Sequence, residues 1–159
     1  MTIRTLAAVL ASIALAGCAS TGGDTAGGAK EMKLAFDFTD ANPVVLLNKL
    51  NNVDTTRKQL IESGITPKIG MTFRCNASFF TQSNLSAVKE TERADAIKVA
   101  AKLREMKSAP GVQGIEQCNL PLADRKLKPA DLMQEVKLVP NGWIALGAYQ
   151  QQGYAYIAP

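Results

Sequence analysis

The sequence predicts an α/β fold: a single-domain, three-layer arrangement of flavodoxin or Rossmann type, with a mostly parallel five-stranded sheet and helices on both faces. The chain has 159 residues, which is the size of one domain. Its composition, 47% hydrophobic and 20% charged, is that of a globular protein. Short apolar runs alternate with longer helical segments, and this alternation favours a parallel sheet covered by helices.

Caps and breakers place the elements in chain order. Asn42 is a suitable N-cap with Pro43 at the first helical position, and Gly64 stands just past the end of that helix. Apolar residues one turn apart predict a long second helix, which Pro110 ends. The predicted strands are 33–38, 68–73, 112–117, 135–139 and 154–157. The predicted helices are 43–63, 84–107, a short one within 124–132, and 143–150.

The N-terminus has the pattern of an export signal. Arg4 precedes an apolar run from Leu6 to Gly17, which is shorter than the roughly 20 residues that span a bilayer. The run ends in Leu-Ala-Gly-Cys, which resembles the lipobox of bacterial lipoproteins and implies cleavage before Cys18 and acylation of its sulfur. An ordinary signal peptide with a chance cysteine, or an apolar N-terminal helix, is the alternative.

The chain therefore divides into a removed signal peptide (1–17), a lipidated Cys18 with a flexible tether (18–32) and a folded domain (33–159). Two or three acyl chains, palmitate among them, anchor a protein stably in the lipid bilayer. Ala19, rather than Asp, favours the outer membrane. We expect a lipoprotein of the bacterial cell envelope that faces the periplasm.

The composition excludes several classes of function. The chain has no His, which removes Ser-His and Cys-His nucleophile pairs, His-ligated zinc and haem held by a proximal His. The net charge of +4 is spread along the chain without a basic stripe, which does not favour nucleic acid. The sequence has no Gly-rich phosphate loop, paired metal-ligand spacing or Ser nucleophile elbow, and we expect no cofactor and no metal.

The C-terminal part carries a family resemblance. Val139-Pro140-Asn141-Gly142-Trp143, followed by the stretch from Tyr149 to Pro159, resembles the end of the DsrE/DsrF-like family: a strand, a Pro-x-Gly turn, a helix, and a Gln-x-x-Gly-Tyr-Ala-Tyr strand. The segment 111–118 resembles the third strand of that family, which ends in a Cys, and the likeness covers about 33–159. The resemblance implies a small α/β fold, a homo-oligomer and, as in some members, sulfur relayed as a persulfide on Cys118.

Cys75 and Cys118 each follow a predicted strand directly, so both are expected at one rim of the sheet. A disulfide between them would stabilise the fold by about 4 kcal/mol. A 2-1-3 strand order would place the second and third strands about 9.6 Å apart, whereas a disulfide needs Cα atoms within about 7 Å. A structural or redox-active disulfide, a sulfur-carrying or redox thiol, and two unreactive thiols remain open.

Several neighbours are candidate site residues. Arg74 could favour a thiolate at Cys75, but a solvated loop residue is the favoured expectation. Asn76 and Asn119 could hydrogen-bond a sulfur species or small anion, or serve as turn residues. Asp37 could act as a base or metal ligand, with helix-start capping the favoured role. Four aromatic residues could line a pocket or an oligomer interface, with core packing the default expectation: Trp143, Tyr149, Tyr154 and Tyr156.

Two classes of function follow from these observations. The first is a sulfur carrier or thiol-redox accessory in which Cys118 reacts, Cys75 is a second thiol, and a protein donates or accepts sulfur. The second is a non-catalytic binding or assembly lipoprotein with a Cys75–Cys118 structural disulfide. The redox state of the two thiols separates them.

Overall fold

A computed structural model describes residues 28–159, so the expected signal peptide, Cys18 and most of the tether lie outside the described residues. The regular elements, in chain order, are β1 (Glu31–Phe38), α1 (Pro43–Glu62), β2 (Thr66–Phe73), α2 (Arg93–Lys107), β3 (Val112–Cys118), α3 (Leu120–Asp124), β4 (Lys137–Val139), α4 (Gly142–Gln151) and β5 (Ala155–Ile157). Short 3₁₀ turns lie at Cys75–Thr81, Leu85–Ala87, Glu90–Glu92 and Pro129–Asp131.

The predicted α/β fold is confirmed, and the five strands are all parallel. Their order is β4-β3-β2-β1-β5, so the expected 2-1-3 arrangement is wrong. The crossovers from β1 to β2 and from β2 to β3 both move in one direction along the sheet. Because such crossovers are right-handed, α1 and α2 lie on the same face. The step from β4 to β5 returns to the opposite edge, which places α4 on the other face.

The main core lies between the sheet and the pair α1 and α2. Side chains alternate along each strand, so that Leu34, Phe36 and Phe38 enter this core while Ala35 and Asp37 face α4. The strands add further fully buried residues to the core: Ile69, Met71, Phe73 and Ile115. The helices add others: Leu46, Leu50, Val99, Leu103 and Met106.

The first helix has the predicted ends. The Asn42 side chain accepts hydrogen bonds from the backbone N–H groups of Val44 at 2.8 Å and Val45 at 3.3 Å. These bonds satisfy donors that have no partner within the helix. Gly64 follows the helix with φ +73°, in the left-handed region that glycine adopts without strain.

The second helix is shorter than predicted, because α2 begins at Arg93 and the segment 84–92 forms 3₁₀ turns. Ser83 donates its backbone N–H to the Asp131 carbonyl at 2.7 Å, which ties this segment to the chain that leads into β4. Val88 is buried, and this packing also holds the segment out of a regular helix. Smaller differences are a fourth strand limited to 137–139, a last strand limited to 155–157, and a short helix at 120–124 in place of one within 124–132.

A buried ion cluster joins α1 to α2. Asp54 is 2% exposed and accepts bonds from Arg57 at 2.8 Å, Lys58 at 2.9 Å and Lys102 at 2.8 Å. Burial alone would raise the pKa of Asp54, but hydrogen bonds from Lys102, Lys58 and Arg57 outweigh it and hold the pKa far below its usual range. The carboxylate is therefore stable only while its cations surround it.

The opposite face of the sheet is covered by α4 alone among the described helices. In register across this face lie Asp37 on β1, Thr72 on β2 and Glu116 on β3. Two residues closer to the amino ends of these strands, Gly70 and Gly114 lie side by side on the same face and leave room for the Tyr149 ring. A Cβ atom on Gly70 would lie 2.4 Å from Cζ of Tyr149, so glycine is required for this close approach.

Candidate functional site

The two described cysteines line one cavity at the carboxyl edge of the sheet, and we call it the thiol cavity. It has a volume of about 280 Å³, and its lining includes Arg74, Cys75, Cys118, Arg125, Asn141 and Trp143. The prediction that both cysteines lie at the same rim is confirmed. They are free cysteines, with Cys75 exposed and Cys118 buried.

Cys118 lies at the end of β3, beneath the first turn of α4. Its side chain is 3% exposed, and its Sγ accepts the backbone N–H of Gly142 at 3.0 Å. Asn141 is the N-cap of α4, so this N–H belongs to the first residue of the helix. Amides at a helix N-terminus carry partial positive charge and stabilise a negatively charged sulfur. The geometry therefore suits a thiolate at Cys118.

Gly142 is what allows the helix to approach the sulfur. A Cβ atom there would lie 2.7 Å from Cδ of Arg74 and 3.0 Å from Cβ of Cys118. Both distances are shorter than an ordinary carbon contact of about 3.5–4.0 Å. Any larger residue would move α4 away from the cysteine.

Cys75 opens the 3₁₀ turn after β2 with φ +50°, a left-handed conformation that is uncommon outside glycine. The turn is tied to the end of β3 by Gln117, which is fully buried. Gln117 Nε2 donates to Ser78 Oγ at 2.7 Å, and Gln117 Oε1 accepts the Thr81 hydroxyl at 2.8 Å. These bonds hold Cys75 in place beside the strand that carries Cys118.

Asp37 and Trp143 hold Arg74 in place, so it is not a solvated loop residue, which corrects the favoured expectation for this residue. Its Nε donates to Asp37 Oδ1 at 2.8 Å, and its Nη2 bonds the other carboxylate oxygen. Tyr156 donates its hydroxyl to Asp37 Oδ2 at 2.9 Å, and the guanidinium lies 5.2 Å from the centre of the Trp143 ring. The hydrogen bond to Asp37 raises the pKa of Arg74 above its ordinary value.

Asp37 is thus a buried partner of Arg74 and not a helix cap, because Asn42 caps α1.

The two candidate asparagines, Asn76 and Asn119, lie outside the lining of the thiol cavity. Asn76 Oδ1 accepts the Nε–H of Arg125 at 3.1 Å, and Asn119 precedes α3 without a capping hydrogen bond from its side chain. Within residues 28–159, no group of three His, Cys, Asp or Glu side chains could hold a metal ion.

The aromatic residues of the C-terminal stretch are less buried than expected. Trp143 is 66% exposed and Tyr156 is 44% exposed, so the expectation of core packing is wrong for both. Tyr149 and Tyr154 are half-buried, with ring centres 4.9 Å apart. Gly142 is the residue of α4 that lies against Cys118, and the neighbouring Trp143 lies over the Arg74 guanidinium with most of its surface exposed.

A second cavity on the same face was not predicted, and we call it the Glu116 cavity. It measures about 440 Å³ and is lined by Glu116, Lys137, Asn141, Ile144, Ala148 and Tyr149, among others. Burial raises the pKa of Glu116 and also that of Tyr149, which has the Glu116 carboxyl within hydrogen-bonding reach. The period-2 alternation of β3 was the available signal, since it places Glu116 and Cys118 on one face.

Comparisons with known proteins identify relatives without an assigned role. No family model matches the chain. It is 24% identical over 129 residues to an uncharacterized protein of Aquifex aeolicus (strain VF5). That match covers 81% of this chain and 56% of the relative, so the chain spans about half the length of the curated protein that it matches.

A solved structure has a similar fold. It is that of a protein of unknown function, MTH1491 from Methanobacterium thermoautotrophicum, with a TM-score of 0.51 and 19% sequence identity. The similarity covers 81% of this chain and 98% of that one, and at this identity it shows the fold alone. Within the described part of the chain, no helix is long and apolar enough to cross a membrane.

Proposed function

We propose that this protein is a membrane-anchored, periplasm-facing thiol protein, a sulfur carrier or thiol-redox accessory, in which Cys118 reacts and Cys75 is the second thiol. The observation that carries the proposal is the thiol cavity itself: both cysteines line it, and the Gly142 N–H bonds the Cys118 sulfur at 3.0 Å. The resemblance to the DsrE/DsrF-like family supports the sulfur chemistry. The lipobox that ends at Cys18 supports the envelope location.

The chemistry requires no cofactor. The Cys118 thiolate attacks the outer sulfur of a donor persulfide, the S–S bond of the donor breaks, and the donor leaves as a thiolate. An acceptor thiolate then takes the outer sulfur from Cys118, which leaves as a thiolate in turn. Because the Gly142 amide contacts Sγ, it stabilises the Cys118 thiolate from which the first transfer starts and to which the second transfer returns.

Cys75 gives a second outcome for the same intermediate. Its thiolate attacks the inner sulfur of the Cys118 persulfide, hydrosulfide leaves, and a Cys75–Cys118 disulfide forms. The exposure of Cys75 suits an exchange partner that arrives from solution. Cys118 is 3% exposed, so a donor must reach it through the cavity.

Mass spectrometry of the Cys18→Ser protein, which retains only these two thiols, tests the carrier. After incubation with a small persulfide, we expect a sulfur adduct of about 32 Da on Cys118. Cys118→Ser should abolish it, whereas Cys75→Ser should keep the adduct and stop the release of hydrosulfide. An adduct confined to Cys75 would contradict the assignment. Protein with no free thiol before reduction would identify a structural disulfide instead.

Fractionation tests the envelope location. Wild-type protein should partition with membranes, and Cys18→Ser should remain unprocessed or soluble because the acylated sulfur is gone. A Cys18→Ser protein that stays with membranes after a salt wash would contradict the lipid anchor.

We also propose self-association, which the family resemblance implies. The exposed Trp143, Ile144 and Tyr156 offer apolar surface for it on the α4 face. A solution mass that stays monomeric at high concentration would contradict this part of the proposal.

A further inference from the structure

The Glu116 cavity lies between α4 and the strands β3 and β4. Apolar side chains form much of its wall, among them Val139, Ile144 and Ala148. Small-molecule sites of about 300–1,000 Å³ are mostly apolar with a few placed polar groups, and this cavity of about 440 Å³ has that character.

The carboxyl of Glu116 has one oxygen without a partner. Its Oε2 is buried and makes no hydrogen bond, while the hydroxyl of Tyr149 lies within reach of the same carboxyl. A carboxyl that lacks a donor is costly to bury, and a ligand that brings an N–H donor to the Glu116 carboxyl would lower that cost.

Lys137 supplies the opposite charge. It is the register partner of Glu116 on the neighbouring strand, and both side chains line the cavity. Among the ion pairs of residues 28–159, none joins these two side chains. Neighbouring strands lie about 4.8 Å apart, which suits a ligand whose two charged groups share one carbon atom.

We infer that this cavity binds a small zwitterion of the α-amino-acid class. The ligand ammonium donates to the Glu116 carboxyl, its carboxylate meets Lys137, and an aliphatic side chain packs on Ile144 and Ala148, all of which line the cavity. A simple amine would leave Lys137 without a partner, and a simple carboxylate would leave the Glu116 carboxyl without a donor. The inference goes beyond the proposed thiol function and does not depend on it.

Calorimetric titration of the full chain carrying Cys18→Ser tests this site with three probes. They are L-leucine, isopentylamine, which lacks the carboxylate, and 4-methylvalerate, which lacks the ammonium. We expect L-leucine to bind, with each of the other two at least about tenfold weaker. Glu116→Gln should weaken L-leucine binding by about tenfold or more. Lys137→Ala should weaken L-leucine but leave isopentylamine unchanged.

Two further variants keep the test decisive. Ala148 is an exposed helix residue that lines the cavity, so Ala148→Phe should block binding by filling the space while Glu116 is untouched. Lys128→Ala removes an exposed lysine outside the cavity lining and should leave binding unchanged. Absence of saturable L-leucine binding up to about 10 mM would overturn the inference. L-Leucine affinity that is equal in wild type and Glu116→Gln, or matched by isopentylamine, would also overturn it. None of these results bears on the thiols.

Discussion

Replacing Gly70 with Ala should destabilise the protein through a single steric conflict. The new Cβ atom would lie 2.4 Å from Cζ, 2.7 Å from Cε1 and 2.9 Å from Cε2 of Tyr149. Carbon atoms in contact prefer about 3.5–4.0 Å, so the ring must retreat by about 1 Å. Tyr149 belongs to α4, and moving its ring displaces the helix that caps the thiol cavity.

Overpacking of this kind costs about 1–3 kcal/mol, and we expect a loss of about 2 kcal/mol. The strand itself would gain from the change, because glycine in a strand is about 0.5–1 kcal/mol worse than alanine. Tyr149→Ala removes the obstacle. In that background Gly70→Ala should therefore be neutral or slightly stabilising, which makes the pair strongly coupled in a double-mutant cycle.

Urea unfolding of the four proteins measures the coupling. Gly70→Ala should lower the midpoint with an unchanged m-value, and the same substitution beside Tyr149→Ala should not. An equal loss in both backgrounds would refute the reasoning, because the conflict would then lie with the strand and not with the ring.

Asp54→Asn should cost about 3–5 kcal/mol, because three cations lose their buried carboxylate. Folding lowers the pKa of Asp54, so the ionised carboxylate contributes fully to the free energy of unfolding above the unfolded pKa near 3.8. That contribution is lost as the pH falls below this value. Urea unfolding at several pH values should show the decline in wild type and not in Asp54→Asn. Asn42→Ala removes the acceptor of two N–H bonds and should cost about 1 kcal/mol in urea unfolding, with Asn84→Ala, which caps only a 3₁₀ turn, as the smaller control. Tyr156→Phe should cost about 1 kcal/mol, because it deletes the hydroxyl bond to Asp37; ultraviolet titration should also lose one phenol with a raised pKa. Loss of a phenol that titrates at the ordinary tyrosine pKa would contradict that bond.

Local signals in the sequence were sufficient for the ends of α1 and for the strands. The Asn42–Pro43 pair and Gly64 act within one turn of the chain, so their effect does not depend on the rest of the fold. The order of the strands depends on the direction of each crossover, which no short motif carries. The helix predicted over 84–92 is wrong for a related reason: the bond from Ser83 to Asp131 joins residues that are distant in sequence.

The sequence likewise predicts some features of the candidate site and not others. Cys75 and Cys118 could be placed at one rim because all parallel strands end at the same edge. The bond between Arg74 and Asp37 depends on β1 and β2 lying side by side, which the sequence does not state. Alternation along β3 places Glu116 on the α4 face, but the cavity beside it depends on where α4 packs, which the strand alone does not indicate.

All strands of a parallel sheet run in the same direction, and this direction determines which edge of the sheet would face the membrane in an anchored molecule. The chain enters β1 at Glu31, and the thiol cavity lies at the far ends of the neighbouring strands. The eight residues of β1 span about 26 Å at about 3.3 Å per residue. A lipid on Cys18 would hold the entering edge towards the bilayer, so the cysteines would open towards the aqueous space. The folded domain itself, more than the length of the tether, would keep the two cysteines away from the lipid headgroups.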